Sequence, residues 1–270
     1  MSVLDGCRRV LFAHAHPDDE VLATGVLIAA LTASGLSCPV LTATRGELGE
    51  VLPGPWSTLV GTPGLARLRE QELAAALAAL GVRDHYWLGT PPARAAGLPA
   101  RRYTDSGMRW VGPGVAGPAA DQSPESFTSA SLVSTAADLA ALLAARPVDL
   151  LVSYDADGGY GHPDHVRMHE VSVQACQATA TPMAVVTSRP GPDVEWLDLA
   201  DQLPAASAAL AAHASQLRVD GDHVLLSGGQ REPIVTALGL RPWRRPPSEC
   251  RHPQPNTGRP DAQDAGTSRH

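Results

Sequence analysis

The chain has 270 residues, 44% of them hydrophobic and only 4% aromatic, enough for one large α/β core built mostly from Ala, Leu and Val. A net charge of −7 leaves no nucleic-acid footprint, and all 21 basic residues are arginine. Cys7, Cys38, Cys176 and Cys250 form no C-x-x-C pair, which excludes a zinc knuckle and a disulfide framework. No apolar run reaches the roughly 18 residues of a membrane span, and no charged n-region leads into an apolar segment at the N-terminus. A reduced, cytoplasmic setting without membrane or nucleic-acid partners is therefore expected, and oligomeric state has no sequence signature.

In chain order, Arg9–His14 reads as a buried strand and 19–34 as a helix closed by Gly35. Pro39–Ala43 is a second strand, and Leu65–Leu80 a helix with leucines at helical spacing and Gly81 after it. His85–Leu88 is a short strand. The Gly-, Pro- and Ser-rich stretch 89–131 reads as a long functional loop. Helix Leu132–Ala145, strand Asp149–Ser153, helix His165–Thr179 and strand Met183–Thr187 follow. Beyond Pro190 the pattern changes to a strand at 195–199, a helix at 203–217 and a strand at 223–226. The alternation predicts βαβ units and a mainly parallel sheet, with ligands beyond the carboxyl ends of the strands. One domain is expected over 1–240, with its core at 8–190 and further elements at 191–240, followed by a disordered tail at 241–270.

Two segments carry chemistry, each just after a strand: His14-Ala-His-Pro-Asp-Asp-Glu20 and Gly158-Gly-Tyr-Gly-His-Pro-Asp-His165. Acidic residues at a helix start also serve the helix dipole, at about 0.3–1 kcal/mol each. That does not explain His16, whose cation is out of place at a positive helix end, whereas a metal-bound neutral imidazole fits. His16 and Asp19 lie three apart across the turn and reach one ion. The His-Pro-Asp element recurs at His162-Pro163-Asp164, with His165 beside it. His165 and His169 have the spacing of two ligands on one helix face, but the glutamate of H-E-x-x-H is missing, so His169 is read as a helix residue. His85, His213, His223, His252 and His270 have no partner in sequence and are read as structural or surface residues. His16, Asp19 and His165 make a zinc set with a position left for water, although such sets also accept iron(II). Asp18, beside ligand Asp19, is the candidate base, and His162 and Tyr160 are candidate donors to a developing oxyanion.

The paired motifs resemble the LmbE-like, or PIG-L-type, zinc-dependent N-deacetylases over roughly Arg8 to Leu226. The resemblance implies a Rossmann-like three-layer α/β fold and zinc on His16, Asp19 and His165. It further implies Asp18 as general base, His162 assisting oxyanion and leaving amine, and Tyr160 in transition-state contacts. Thr44–Val51, Arg69-x-x-Glu72-Leu73, Tyr103–Met108 and Tyr154–Gly161 are similar to the branch acting in mycothiol biosynthesis. That similarity implies a small amino-sugar conjugate, N-acetylglucosaminyl-inositol, as substrate, with Arg69, Asp105 and Glu47 toward its hydroxyls. A surface ion pair with Glu72 is the alternative for Arg69. A mycothiol S-conjugate amidase, a tailoring N-deacetylase of an aminosugar natural product, and a catalytically silent zinc-containing sugar-binding module are the rival functions. A dinucleotide-binding domain is disfavoured because the first turn lacks G-x-G-x-x-G.

Overall fold

The computed structural model describes residues 2–244. Strands β1 (Val10–His14), β2 (Val40–Thr42), β3 (His85–Trp87), β6 (Leu150–Tyr154) and β7 (Met183–Thr187) are all parallel, in the order β3-β2-β1-β6-β7. Strand β12 (Ala237–Pro242) continues the sheet antiparallel to β7, and β8 (Glu195–Asp198) pairs with β12 at the edge. Side chains alternate between two apolar layers, as the pleat requires: Val10 and Phe12 of β1 face one, Leu11 and Ala13 the other. Helices α2 (Gly25–Ala33), α3 (Pro63–Ala79) and α7 (Leu203–Ala212) cover the first face through Leu27, Leu73 and Leu210. Helices α4 (Leu132–Ala145) and α6 (Pro163–Thr179) cover the second through Leu139 and Met168. The result is a three-layer α/β fold with a mostly parallel sheet, as expected. Among the described residues no helix is long and apolar enough to cross a membrane.

Several boundaries differ from the sequence reading. The helix expected over 19–34 is broken into α1 (Asp19–Leu22) and α2. At the break the Thr24 hydroxyl donates to the Glu20 carbonyl and meets the ring of His14, so buried polar contacts override helical continuity. The stretch 89–131 holds an antiparallel hairpin, β4 (Met108–Gly112) and β5 (Val115–Pro118), whose strands lack simple apolar–polar alternation. The expected 203–217 helix stops at Ala212, and Leu217 opens β9 (Leu217–Asp220) of a small antiparallel sheet with β10 (His223–Leu226) and β11 (Arg231–Pro233). Strand β12 runs through Pro242, past the boundary expected at 240; the remainder of the expected tail, 245–270, lies outside the described residues.

Strands β1 and β6 are neighbours although far apart in sequence. Connections leave them for opposite ends of the sheet, which opens a crevice at their carboxyl ends. Both His-Pro-Asp segments lie there.

Candidate active site

The first turn leaves β1 at His14. His16 and Asp19 are both buried, and the Asp19 carboxylate is the hub. Its Oδ2 accepts from the backbone N–H of His16 at 2.9 Å and from the Tyr154 hydroxyl at 2.7 Å. His16 Nδ1 and His165 Nε2 each stand 3.2 Å from this carboxylate.

The hydrogen bonds decide which ring nitrogens are available to a cation. His165 Nδ1 meets the carbonyl of Gly158 at 3.1 Å, which requires a proton on Nδ1 and leaves Nε2 as the lone-pair nitrogen. That Nε2 is buried and has no hydrogen-bond partner among the described residues. Gly158, at φ 66° at the start of the single-turn α5 (Gly158–Gly161), permits the approach: a Cβ there would meet the Cβ of His165 at 2.9 Å. His16 Nε2 lies 3.0 Å from Asp164 Oδ2, so its proton belongs on that nitrogen and Nδ1 is the one to give up to a cation. His162 is the reverse case. Its Nδ1 accepts the backbone N–H of Asp164 at 3.1 Å, so the neutral ring carries its proton on Nε2 and is a donor, not a ligand.

Among the described residues, two sets of metal-capable atoms lie within 4.8 Å of one another, His16/His162/His165 and His16/Asp105/Asp164. In the first, His162 is disqualified by its Nδ1 bond. In the second, Asp164 is already filled by Ser106, whose N–H (2.9 Å) and hydroxyl both donate to it. What remains is a carboxylate facing one nitrogen of each of two imidazoles. Two ring nitrogens converging on one carboxylate call for a cation between them, and His16, Asp19 and His165 fit a divalent metal. His169 is not part of this group: its Nδ1 meets the Tyr154 carbonyl at 2.9 Å, tying α6 to the end of β6.

The charges follow from these contacts. Burial opposes a charged His16, but Asp105, Asp164 and Asp19 outweigh it and hold its pKa well above the usual value. Burial likewise opposes ionised Asp19, but His165 and His16 keep its pKa well below the carboxylate range. Asp18 has the opposite balance: burial and then the Asp19 charge push it up to about 7. Its carboxylate makes no hydrogen bond among the described residues; only its backbone N–H is engaged, by Glu20 at 2.9 Å. Burial first, and then His16 and His165, hold His162 down to about 3, so its ring is neutral. Tyr160 is raised above the usual phenol value by burial and the surrounding carboxylates. It stands at the mouth, 41% exposed, its ring edge-on to His165 at 5.1 Å.

The three expected substrate contacts fall on one wall of the crevice. Arg69 is not the surface ion pair: it is 2% exposed and donates to the carbonyls of Gly46 and, at 2.8 Å, Glu50. Glu72 binds Ser215 instead, through its N–H and hydroxyl, both at 2.7 Å. Glu47 accepts from Arg102 at 2.8 Å and from the Asp105 N–H at 3.1 Å. Asp105 is buried, accepts from Gly107 N–H at 2.8 Å and comes within 3.8 Å of His16 Nε2. Arg69 and Glu47 thus hold the loop around 45–50, and Asp105 lies nearest the histidines.

Tyr154 and Asp164 were not singled out as site residues by sequence. Tyr154 donates to Asp19, accepts from Ala15 N–H at 3.0 Å and stacks on His165 at 4.2 Å, 7° from parallel. The end of β6 places it where the signal was present, since strand ends in such sheets line the crevice.

Comparison with known proteins agrees with this geometry. The family profile "PIG-L: GlcNAc-PI de-N-acetylase" matches residues 11–176. A 1D-myo-inositol 2-acetamido-2-deoxy-α-D-glucopyranoside deacetylase of Kineococcus radiotolerans is 35% identical over 86% of this chain and 76% of its own length. A protein of the same name from Kribbella flavida is 36% identical over 85% of this chain and 74% of its own. Among solved structures, N,N'-diacetylchitobiose deacetylase from Pyrococcus horikoshii overlaps with a TM-score of 0.56 at 21% identity, covering 78% of this chain and 71% of that one. The zinc-inhibited form of a teicoplanin deacetylase also scores 0.56, at 19% identity, covering 87% of this chain and 98% of that one. These two likenesses show the fold.

Proposed function

Because the chain belongs to the PIG-L family of de-N-acetylases, we propose that it hydrolyses the acetamide of 1D-myo-inositol 2-acetamido-2-deoxy-α-D-glucopyranoside, a step of mycothiol biosynthesis, with zinc as its metal. The observation that carries the chemistry is the meeting of the Asp19 carboxylate with His16 Nδ1 and His165 Nε2, beside an Asp18 carboxylate that makes no hydrogen bond among the described residues. Relatives at 34–36% identity over 84–86% of the chain carry the substrate.

In this reading His16 Nδ1, Asp19 and His165 Nε2 hold the metal. When bound, it supplies Lewis acidity toward the amide carbonyl and the attacking water. Asp164 and the Gly158 carbonyl fix the two imidazoles from behind, and Tyr154 fixes the carboxylate. Asp18 takes the proton that water loses on attacking the carbonyl carbon. Its raised pKa suits a group that must accept that proton near neutrality and pass it on. His162 Nε2–H, and the Tyr160 hydroxyl at the mouth, donate to the oxygen that becomes negative. Proton delivery to the amine nitrogen breaks the C–N bond, leaving acetate and the free amino sugar. Asp105, its N–H held by Glu47 on the loop that Arg69 fixes, forms the side toward the sugar and inositol hydroxyls. One domain over 2–242 suffices for all of these parts.

The test is release of free amine by the zinc-loaded protein from that substrate, from N-acetylglucosamine and from a mycothiol S-conjugate. Preference for the inositol glycoside supports the reading. Preference for the S-conjugate would make the protein an amidase of the same mechanism.

A further inference from the structure

Asp18 has a backbone no ordinary aspartate adopts, with φ 114°. With the peptide plane held, relaxing φ at Asp18 by half a turn about its N–Cα bond would bring it to about −66°, an unstrained value, and would swing the side chain away from its present direction relative to that plane. The aim of the carboxylate therefore depends on what holds the Pro17–Asp18 peptide plane.

Both sides of it are held. The Asp18 N–H donates to Glu20 Oε2 at 2.9 Å, and the Pro17 carbonyl accepts from the Gln216 side-chain amide at 2.9 Å. These two anchors are joined behind the turn. His213 Nε2 meets Glu20 Oε1 at 2.7 Å, and the Gln216 amide lies 3.3 Å from His213 Nδ1. The His213 Nε2–H gives its hydrogen to Glu20, and in the neutral ring Nδ1 receives the second hydrogen of the Gln216 amide. The closed path runs Asp18 N–H, Glu20, His213, Gln216, Pro17 C=O. Glu20 and His213 are fully buried, so no water competes for these bonds.

We propose that the turn His213–Gln216, between α7 and β9, is a positioning clamp that keeps the Pro17–Asp18 peptide in its strained orientation and so aims Asp18 at the reacting water. The inference rests on the reading of Asp18 as general base. The clamp lies beyond the residues matched by the family profile, which end at 176. It is anchored from further sides: Ser215 N–H and hydroxyl donate to Glu72 of α3 at 2.7 Å, and its carbonyl accepts Leu52 N–H at 2.8 Å. Helix α3 also carries Arg69, which holds Gly46 and Glu50. One four-residue turn thus joins the base-bearing turn to the loop lining the crevice.

The test compares Gln216→Leu, His213→Leu, His213→Gln and Asp18→Asn as zinc-loaded full chains on the inositol glycoside, with kcat, KM and bound zinc measured for each. Gln216→Leu and His213→Leu lose about 10- to 100-fold in kcat, the scale of a misplaced catalytic group. Their KM stays within about twofold and their zinc content is unchanged, because the lost interaction acts on the reacting state. His213→Gln, whose amide keeps a donor toward Glu20, recovers most of the loss. A crystal structure of Gln216→Leu has Asp18 at negative φ. Wild-type kcat in both leucine variants, with Asp18→Asn inactive, overturns the clamp alone. Zinc lost in step with kcat also overturns it, since the turn would then be supporting the ligands. Turnover retained by Asp18→Asn overturns the base assignment and the clamp's purpose with it. If His213→Leu does not fold, Gln216→Leu decides the question.

Discussion

His-Pro-Asp opens the helix that follows β1 and the helix that follows β6, yet the two aspartates end in different conformations and surroundings. Asp18 precedes its helix at φ 114°, and its carboxylate makes no hydrogen bond among the described residues. Asp164 sits in the first turn of α6, fully buried, where Ser106 and His16 use up both of its oxygens. The histidines divide the same way. His16 turns Nδ1 toward Asp19, while His162 spends its Nδ1 on the start of α6 and keeps a proton to donate. A repeated tripeptide thus supplies a ligand and a base on one side, and a donor and a support on the other. Backbone conformation, not residue identity, divides the work.

The largest test of this difference exchanges the two acids for amides. Asp18→Asn is expected to lower kcat by about 10²- to 10⁴-fold, the range for a general base, with bound zinc unchanged. Metal analysis beside steady-state kinetics checks it, and zinc lost together with turnover would make Asp18 a ligand. Asp164→Asn should do the converse and weaken zinc affinity about 10- to 100-fold, as removal of a carboxylate behind a ligand histidine does. Competition with a chelator measures this; unchanged affinity would show that His16 needs no such partner. Tyr154→Phe removes one hydrogen bond to a charged carboxylate, a loss of about 1.5–3 kcal/mol at most. It should weaken zinc binding about tenfold, less than Asp164→Asn does, as the same competition reads. The smallest effect belongs to Glu47→Gln, which loosens the loop that presents Asp105. A rise in KM of about two- to fivefold at unchanged kcat is expected, and a fall in kcat instead would put Glu47 in the chemistry.

Much of this architecture is written in local pattern. Continuous apolar runs at 10–12 and 150–152 mark buried strands, and leucines at helical spacing mark α3 and α4. Both His-Pro-Asp segments stand out because their residue types are costly to place together without a ligand. Other parts depend on partners distant in the chain. Strand β12 carries no local signal of its own, straddles the expected start of the tail at 241, and is a strand by pairing with β7 and β8. His213 has no neighbour in sequence that would reveal it; its partner Glu20 is 193 positions away. Arg69 looks like a helix-surface residue because Glu72 follows three places on, but glycines at 46 and 49 let the loop close over it. In each case the energy lies in a desolvated contact between distant segments, which residue spacing does not encode.

The central claim is that His16 Nδ1, Asp19 and His165 Nε2 share one cation while His162 stays a donor. A crystal structure of the zinc-loaded protein, with anomalous scattering collected at the zinc edge, tests it most directly. The account predicts one ion bonded to those three groups, with His162 Nδ1 still accepting the Asp164 N–H. An ion bonded to His162, or to His16 Nε2 together with Asp105 or Asp164, would contradict it.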